Sequence, residues 1–398
     1  MKRGITALVC FALIVGILSA CMRADEKKEI KEEKEMASQN GLLDFSLALL
    51  RQENTEDNTV LSPLSVYYCL SLAANAAGGE TKAQLEQVLG GSLEALNENC
   101  RVLSEALTDV GGSTALEVAS GVFTDEGFTI NEEYRATVTA LLDAEVSSAP
   151  LSSGEGMQTI NDWASKKTHG IISSLLTEPP GGPAVLLNAV YLKAAWEMQF
   201  SPSSTKDGLF NLTNGETAVV PFMSMTNCEQ SYLKVSGVEG VLLPYDDGKL
   251  SFMALLPEDY EAFVPSLDAA LWIELLSSKK QVTMDLRLPR FSVTQDTELN
   301  PMLQSLGIRD LFSPNDADLY GLLENSTFGI YVERAFQKAK IEVGEEGTVA
   351  AAVTGMATKA MAKPSQAEVR LVFDRPFVYA VIDNETGTPI FLGTVTNP

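Results

Sequence analysis

Hydrophobic residues recur with helical spacing through the first half of the chain. In residues 40–52, three leucines fall on one face of a helix. The stretch 64–77 is apolar on almost every face, with a Ser-Pro pair before it and two glycines after it, which predicts a buried helix. The same spacing predicts further helices in the segments 80–90, 93–108, 131–143 and 156–168.

From about residue 183 the pattern changes to short apolar runs rich in Val, Ile, Leu, Phe and Tyr, which is typical of strands. The runs are AVLLNAVYLKAAW, LSFMALLPE, VTMDLRLPRFSV, FGIYVERAFQKAKIEV, EVRLVFDRPFVYAVID and PIFLGTVT. Two helical segments, SLDAALWIELLSS and LNPMLQSLGI, lie among them. Helices dominate the first half and strands the second, without regular alternation. This order predicts an α+β fold with largely antiparallel sheets.

The composition is that of a globular protein with ample material for a large core: 45% of the 398 residues are hydrophobic and 7% are aromatic. The length suits two domains or more, but no linker rich in Pro, Gly or Ser follows residue 40, so a single large domain stays equally open. The formal net charge of −24 disfavours nucleic acids and glycosaminoglycans as partners, because both are polyanions.

Residues 1–20 have the features of a bacterial lipoprotein signal peptide: a basic start, an uncharged and mostly apolar run, and a Leu-Ser-Ala end directly before Cys21. We expect cleavage before Cys21 and lipid on its sulfur. Residues 21–39 are rich in Lys and Glu and predict a solvated, lipidated tether. The protein is therefore expected at a bacterial cell envelope, on the outer membrane, facing the periplasm or the surface.

The chain lacks the usual motifs of enzymes. His169 is its one histidine, so a Ser–His–acid hydrolase would have to use it. Its position before Gly170 is typical of a helix end, and the sequence has no nucleophile elbow, zinc-ligand spacing or phosphate-binding loop. We expect no enzyme activity, metal or cofactor, with a hydrolase as the weakest alternative. The widely spaced Cys69, Cys100 and Cys228 do not indicate a disulfide framework.

Residues 347–358 carry no charge and no aromatic ring. Their side chains are too small to build a core and too apolar for an ordinary solvated loop. In an extended strand, alternate residues share a face, and one such set is Thr348, Ala350, Ala352, Thr354, Met356 and Thr358. Its Val, Thr and Gly residues oppose a stable helix. The segment is therefore compatible with an extended strand or with a flexible linker.

The surroundings of this segment resemble the serpin family. The stretch KAKIEVGEEGTVAAAVTG is followed, after a gap, by VRLVFDRPFVYAVIDNETGTPIFLGTVTNP. Earlier motifs that resemble the family occur in the family's order: LSPLSV, LLNAVYLKAAWEMQF, VPFMSM, RLPRF and LGIRDLFSPNDADLYGL. The resemblance extends from about residue 40 to residue 398.

The resemblance implies a single domain over residues 40–398. Its fold would be three mainly antiparallel β-sheets with about nine helices and an exposed reactive-centre loop at about 345–366. The loop would act as bait: a serine protease attacks it, forms an acyl-enzyme, and is trapped when the cut loop inserts into the main sheet as a new strand. The partners would then be serine proteases, bound covalently by a monomer that needs no glycosaminoglycan.

In the family the cut follows the seventeenth residue counted from the first hinge glutamate, which here gives Met361, with Ala362 after the cut. Methionine fits elastase-like, chymotrypsin-like or subtilisin-like proteases. Lys359 and Lys363 are alternatives for a trypsin-like enzyme. Attack at Lys363 is hindered by Pro364, whose ring restricts the backbone.

Two further groups of residues follow from the resemblance. The hinge would consist of Glu345, Glu346, Gly347, Thr348, Ala350, Ala351 and Ala352. The region where the main sheet opens would contain Ser62, Asn188, Trp196 and Gln337. The family commonly has histidine at the place of Gln337, and an amide there is expected to bridge Asn188 and Ser62, because it both donates and accepts hydrogen bonds. A non-inhibitory relative that acts as a binding or chaperone-like module is the alternative, although its usual mark, a charged or bulky hinge, is absent.

Overall fold

The structure is a computed structural model that describes residues 41–53, 56–108, 111–170, 172–324, 330–348 and 367–398. Nine α-helices lie in these residues. They are α1 (41–52), α2 (Pro63–Ala76), α3 (Gly79–Leu89), α4 (Leu93–Thr108), α5 (Glu132–Leu142), α6 (Gly154–Lys167), α7 (Tyr260–Ser266), α8 (Ala269–Ser277) and α9 (Asn300–Leu306). Short 3₁₀ helices occupy Pro202–Ser204, Asp310–Phe312 and Tyr320–Leu322. Every helix predicted from the hydrophobic spacing is present.

Fifteen strands in the same residues form two sheets. They are β1 (Thr59–Leu61), β2 (Ala115–Asp125), β3 (Glu145–Ala149), β4 (Ala184–Ala195), β5 (Lys206–Asn211), β6 (Thr217–Val235), β7 (Val238–Pro244), β8 (Leu250–Pro257), β9 (Lys280–Pro289), β10 (Phe291–Glu298), β11 (Val332–Val343), β12 (Gly347–Thr348), β13 (Val369–Val372), β14 (Phe377–Asp383) and β15 (Pro389–Val395). Most pairings are antiparallel, so the predicted α+β architecture is confirmed.

The larger sheet has nine strands in the order β1-β15-β14-β8-β7-β6-β9-β13, with β5 paired to β6. Strand β6 is 19 residues long, and its register with β9 shifts between Met225 and Cys228. Its first part pairs with β5 and its last part with β7. Three sheets were predicted; in the described residues β6 and β9 join two of them into one hydrogen-bonded network.

The smaller sheet has six strands in the order β10-β11-β12-β4-β2-β3. Strands β4 and β11 run parallel, and the boundary between them is here called the seam. The seam is paired from Val332 and Ala184, at its far end, up to Ala339 and Val190. Its hinge end lies where β4 and β11 finish, and there β12 stands between them.

Helix α2 supports the seam from beneath. Ser62 caps its first turn by accepting a hydrogen bond from the Ser65 amide at 3.4 Å, and proline occupies the first helical position. All of its residues except Asn75 are buried, which agrees with the prediction of a helix that is apolar on almost every face. Its contacts reach both sheets, so the helix fills the core between them.

The chain enters the described fold at a tight glycine contact. Gly90 ends α3 with a φ of 76°, a left-handed conformation that favours glycine. A Cβ atom at Gly90 would lie 2.6 Å from the Cα atom of Gly41, so the start of α1 fits only against a residue without a side chain. Gly41 is therefore fixed beside the turn between α3 and α4.

Candidate functional site

Part of the predicted hinge already lies inside the smaller sheet. Gly347 pairs with Ala195 of β4, while Thr348 pairs with Ala194 on one side and with Val343 of β11 on the other. The side chain of Thr348 is fully buried. A Cβ atom at Gly347 would lie 2.0 Å from the Ala194 carbonyl oxygen, so this close approach requires glycine.

The turn before β12, which contains Glu345 and Glu346 of the predicted hinge, is held by hydrogen bonds to its carbonyl groups. The Trp196 indole donates to the Gly344 carbonyl at 2.8 Å, and the Trp196 amide donates to the Glu346 carbonyl at 3.0 Å. The Phe200 amide donates to the carbonyl of Glu345 at 2.9 Å. Because several donors from one segment bond to three successive carbonyls, the turn is fixed where the chain enters β12.

The carboxylate of Glu345 has two partners of its own. It accepts a hydrogen bond from the Thr205 hydroxyl at 2.7 Å, and the Arg290 guanidinium lies 3.7 Å away. The Glu345 side chain is only 13% exposed, so the hydrogen bond is shielded from solvent. This glutamate anchors the turn to the chain that follows β4 and to the start of β10.

An aromatic cluster covers the hinge end of the seam. Trp196 stacks on Tyr245 with ring centroids 4.8 Å apart, and Phe200 and Phe252 meet the indole edge-on. The hydroxyl groups of Tyr245 and Thr348 are hydrogen-bonded at 2.6 Å. Burial raises the pKa of Tyr245 well above its usual range, so this hydroxyl stays protonated and available at neutral pH.

Below the hinge the seam is closed by a buried polar cluster around Gln337. Its amide nitrogen donates to the Ser62 carbonyl at 2.9 Å and to the Ser65 hydroxyl at 2.9 Å, and it lies 3.4 Å from the Asn188 side-chain oxygen. The Ser62 amide donates back to the Gln337 oxygen at 3.0 Å, and the Asn188 amide donates to the Ser120 hydroxyl at 3.1 Å. Gln337 thus bridges Ser62 and Asn188, as its donor and acceptor groups predicted.

At the far end the seam is crossed by an ion pair that the sequence did not single out. Arg334 of β11 contacts Glu178, in the segment before β4, at 3.1 Å. It also contacts Glu298 of β10 at 3.1 Å and lies 4.1 Å over the Phe336 ring. Glu178 is 72% exposed and Glu298 is 45% exposed, so solvent screens both contacts.

The remaining predicted site residues lie outside the described residues. They are Ala350, Ala351, Ala352, Lys359, Met361, Ala362, Lys363 and the lipidation candidate Cys21. The described chain stops at Thr348 and resumes at Ala367, shortly before β13 pairs in parallel with β9. The assignment of the scissile bond therefore stays a prediction from the sequence.

His169 lies at the end of α6, exposed, with its ring 6.3 Å from that of Tyr191. Within the described residues, no group of three or more His, Cys, Asp or Glu side chains is placed to bind a metal ion. In the same part of the chain, no helix combines the length and the apolar composition needed to cross a bilayer.

Known proteins resemble the chain over nearly its whole length. A family profile described as serpin (serine protease inhibitor) matches residues 40–398. The chain is 31% identical to Iripin-8 of Ixodes ricinus over 402 residues, which cover 96% of this chain and 98% of that protein. It is 30% identical to plasminogen activator inhibitor 1 of Bos taurus over 373 residues, 89% of this chain and 91% of that one. The solved native state of tengpin, a thermophilic serpin, matches with a TM-score of 0.84 at 30% identity, covering 90% of this chain and 94% of tengpin.

Proposed function

Because the chain belongs to the serpin family of serine protease inhibitors, we propose that it traps its target as a suicide substrate. The protease cuts the loop between β12 and β13 and forms an acyl-enzyme. The freed strand then enters the seam and carries the protease along, and the acyl-enzyme is distorted before water can release it. Family membership indicates an inhibitor rather than a hydrolase, so His169 has no catalytic part in this mechanism.

The observation that carries the proposal is the position of the hinge. Gly347 and Thr348 already occupy the first two places of an added strand, and Thr348 is buried there without a charge. Extending the same register places Thr354 between Asn188 and Gln337, whose strands are now paired directly. Each inserted residue would gain backbone hydrogen bonds worth roughly 1 kcal/mol apiece, which favours continued insertion.

The same register decides which loop residues must be buried. Thr348 faces the core, so its alternate neighbours do so as well after insertion, namely Ala350, Ala352, Thr354, Met356 and Thr358. None of them is charged, so insertion buries no unpaired ion. Small side chains also reduce the steric cost of passing between two strands that are already packed.

We assign the scissile bond to Met361 and Ala362, with Lys359 second and Lys363 third. The unbranched apolar side chain of Met361 fits the specificity pocket of elastase-like, chymotrypsin-like or subtilisin-like proteases. A trypsin-like enzyme would use Lys359 instead. Pro364 makes cleavage after Lys363 the least favourable of the three, because its ring restricts the backbone there.

The same proposal includes a place of action. Lipid on Cys21 would hold a monomeric inhibitor at a bacterial cell envelope, where it would protect the cell from serine proteases. The formal charge of −24 supports a direct encounter with proteases that needs no glycosaminoglycan, because a polyanion would be repelled.

The test mixes the protein with one protease of each class and follows the products by denaturing electrophoresis. An SDS-resistant covalent complex, together with cleavage at Met361–Ala362, is the expected result. The informative variant is Thr348→Arg, because the place of Thr348 between β4 and β11 is buried, so the guanidinium can be held there, before or after cleavage, only if it is desolvated at a cost of several kcal/mol. We expect this variant to be cut as a substrate without forming a complex.

Glu368→Arg is the matched control, since it introduces the same side chain at the other end of the loop, where the native residue is exposed. It should still trap protease. An unchanged stoichiometry of inhibition in Thr348→Arg would contradict the hinge argument. Clean loop cleavage by every protease, without any complex in the unmodified protein, would favour the binding or chaperone-like alternative.

A further inference from the structure

The point where the N-terminal tether joins the fold can be located relative to the two ends of α2. Gly41 packs against Gly90, directly before α4. Helix α4 runs antiparallel to α2, because Asn97 contacts Asn75 near the end of α2, whereas the Cys100 carbonyl accepts a hydrogen bond from Tyr68 one to two turns earlier. The tether therefore joins the fold, and α4 begins, at the end of the molecule where α2 finishes.

That end is the far end of the seam. The loop after α4 returns to the hinge end, where the Ser113 amide donates to the carboxylate of Asp246 and the Asp246 amide donates to the Ala195 carbonyl. The 16 residues of α4 separate these two levels by about 24 Å. Helix α3 also packs at the far end, because its Gln84 side chain accepts hydrogen bonds from the Arg309 and Asp310 amides, which follow α9.

The register of the hinge gives the destination of a trapped protease. In the antiparallel register of Thr348 with Ala194, each following loop residue pairs with the preceding residue of β4, so residue 358 would lie opposite Ala184. The cut end at Met361 would lie just beyond, at the far end. The twelve residues of β4 span roughly 40 Å, which is the distance that the protease would move from one end of the seam to the other.

We infer that the far end is the lipid-facing end of the molecule and that the tether is a spacer that leaves room there for the trapped protease. The inference rests on the proposed function, because it needs both insertion and attachment through Cys21. The bait would point away from the lipid surface, accessible to proteases. Trapping would then carry the enzyme towards the lipid, so the space beneath the fold must admit it.

The length of the tether agrees with this task. Nineteen residues lie between Cys21 and Gly41, and such a segment reaches at most about 70 Å. A compact protease domain of about 230 residues has a radius of gyration near 17 Å and hence a diameter of roughly 45 Å. The whole segment can span a protease, whereas one of six residues, with a reach of about 25 Å, cannot.

The experiment anchors the fragment 21–398 to vesicles by coupling Cys21 to a maleimide lipid, so it does not depend on natural lipidation. The other thiols of the fragment are buried, and burial raises the pKa of Cys69 and Cys100 to about 12 and that of Cys228 to about 11, which keeps them unreactive. The variants are the full tether, a tether without residues 27–39, and one in which Gly-Ser residues replace that segment at equal length.

The measurement is the stoichiometry of inhibition, with the same proteins free in solution as controls. We expect the shortened tether to raise the stoichiometry several-fold on vesicles but not in solution, and the Gly-Ser spacer to restore it. Equal values for the short tether on vesicles and in solution would overturn the inference. So would an increase in solution as well, since the segment would then act on the fold itself. Absence of covalent complex in every form would instead refute the proposed function on which the inference rests.

Discussion

The two ends of the seam are held together by different physical means. At the hinge end the contacts are buried and neutral: Trp196 stacks on Tyr245, and Tyr245 shares a hydrogen bond with Thr348. At the far end, Arg334 pairs with Glu178, whose carboxylate is largely exposed to solvent. Buried hydrogen bonds are expensive to leave unmade, whereas exposed ion pairs contribute only about 0.2–1 kcal/mol.

This difference agrees with the order of events in the proposed mechanism. Insertion begins at the hinge end, where the first two residues are already in place and geometry matters most. It finishes at the far end, where the ion pair that crosses the seam is inexpensive to break. In the proposed mechanism, insertion of the cut loop therefore starts from a well-defined position and meets little resistance at its end, as rapid trapping requires.

The largest effect is expected from a charge introduced midway between the two ends. In Gln337→His the imidazole would be enclosed by Ser62, Ser65 and Asn188, and burial would lower its pKa below the unfolded value of about 6.5. The folded protein would then favour the neutral ring. Its stability should be complete above pH 6.5 and should fall by up to about 1.4 kcal/mol per pH unit below it.

Chemical unfolding of the native form at a series of pH values measures this effect as the difference from the unmodified protein. Gln281→His is the matched control, since Gln281 is exposed on β9. The control should follow the unmodified protein throughout. If both variants lost stability equally on acidification, the midpoint of the seam would not require neutrality, and the contrast between its interior and its far end would fail.

A smaller effect is expected at the hinge end from Tyr245→Phe. The change removes one hydroxyl and leaves the buried Thr348 hydroxyl without that partner, at a cost of about 1–3 kcal/mol. The hinge should leave the seam more often, which hydrogen exchange at the Thr348 amide would detect. Added salt should not alter the difference, because no charge is involved.

The double variant Tyr245→Phe/Thr348→Val separates the hydrogen bond from the shape of the site. It removes both polar groups while nearly keeping the volumes, so most of the lost stability should return. A double variant as unstable as the sum of the two single variants would show that packing around Trp196, and not the hydrogen bond, holds the hinge.

The sequence predicted the elements of this site better than their contacts. Helix α2 and the strands beside the seam followed from local pattern, because caps, glycines and apolar periodicity act within a few residues. The hinge was assigned through the family resemblance of the stretches that flank it, because its small uncharged residues alone were equally compatible with a flexible linker. The resemblance assigned Gln337 to the region where the sheet opens, and its bridge to Ser62 and Asn188 followed from the donor and acceptor groups of an amide.

The partial insertion of the hinge could not be predicted, because it depends on tertiary register. Tyr245 lies 103 residues from Thr348, in a stretch that resembles an ordinary turn after a strand. Arg334 lies 156 residues from Glu178, and nothing local distinguishes either residue from other surface charges. Such pairings are fixed only when the seam brings β4 and β11 together.

The smallest effect is expected at the far end and separates the two partners of Arg334. Glu178 lies on the β4 side of the seam, so an inserted strand must part it from Arg334 by one more strand spacing, about 4.8 Å. Glu298 lies on β10, next to β11, so its contact with Arg334 survives insertion.

Glu178→Gln should therefore speed insertion, by a factor of up to about five if the pair contributes 1 kcal/mol. Glu298→Gln removes the same charge and should not. The measurement is the rate at which a labelled synthetic peptide with the sequence of residues 349–358 enters the sheet, and raising the salt concentration should erase the difference. Equal rates for the two variants would mean that the far end sets no barrier, and that the resistance to insertion resides wholly in the buried part of the seam.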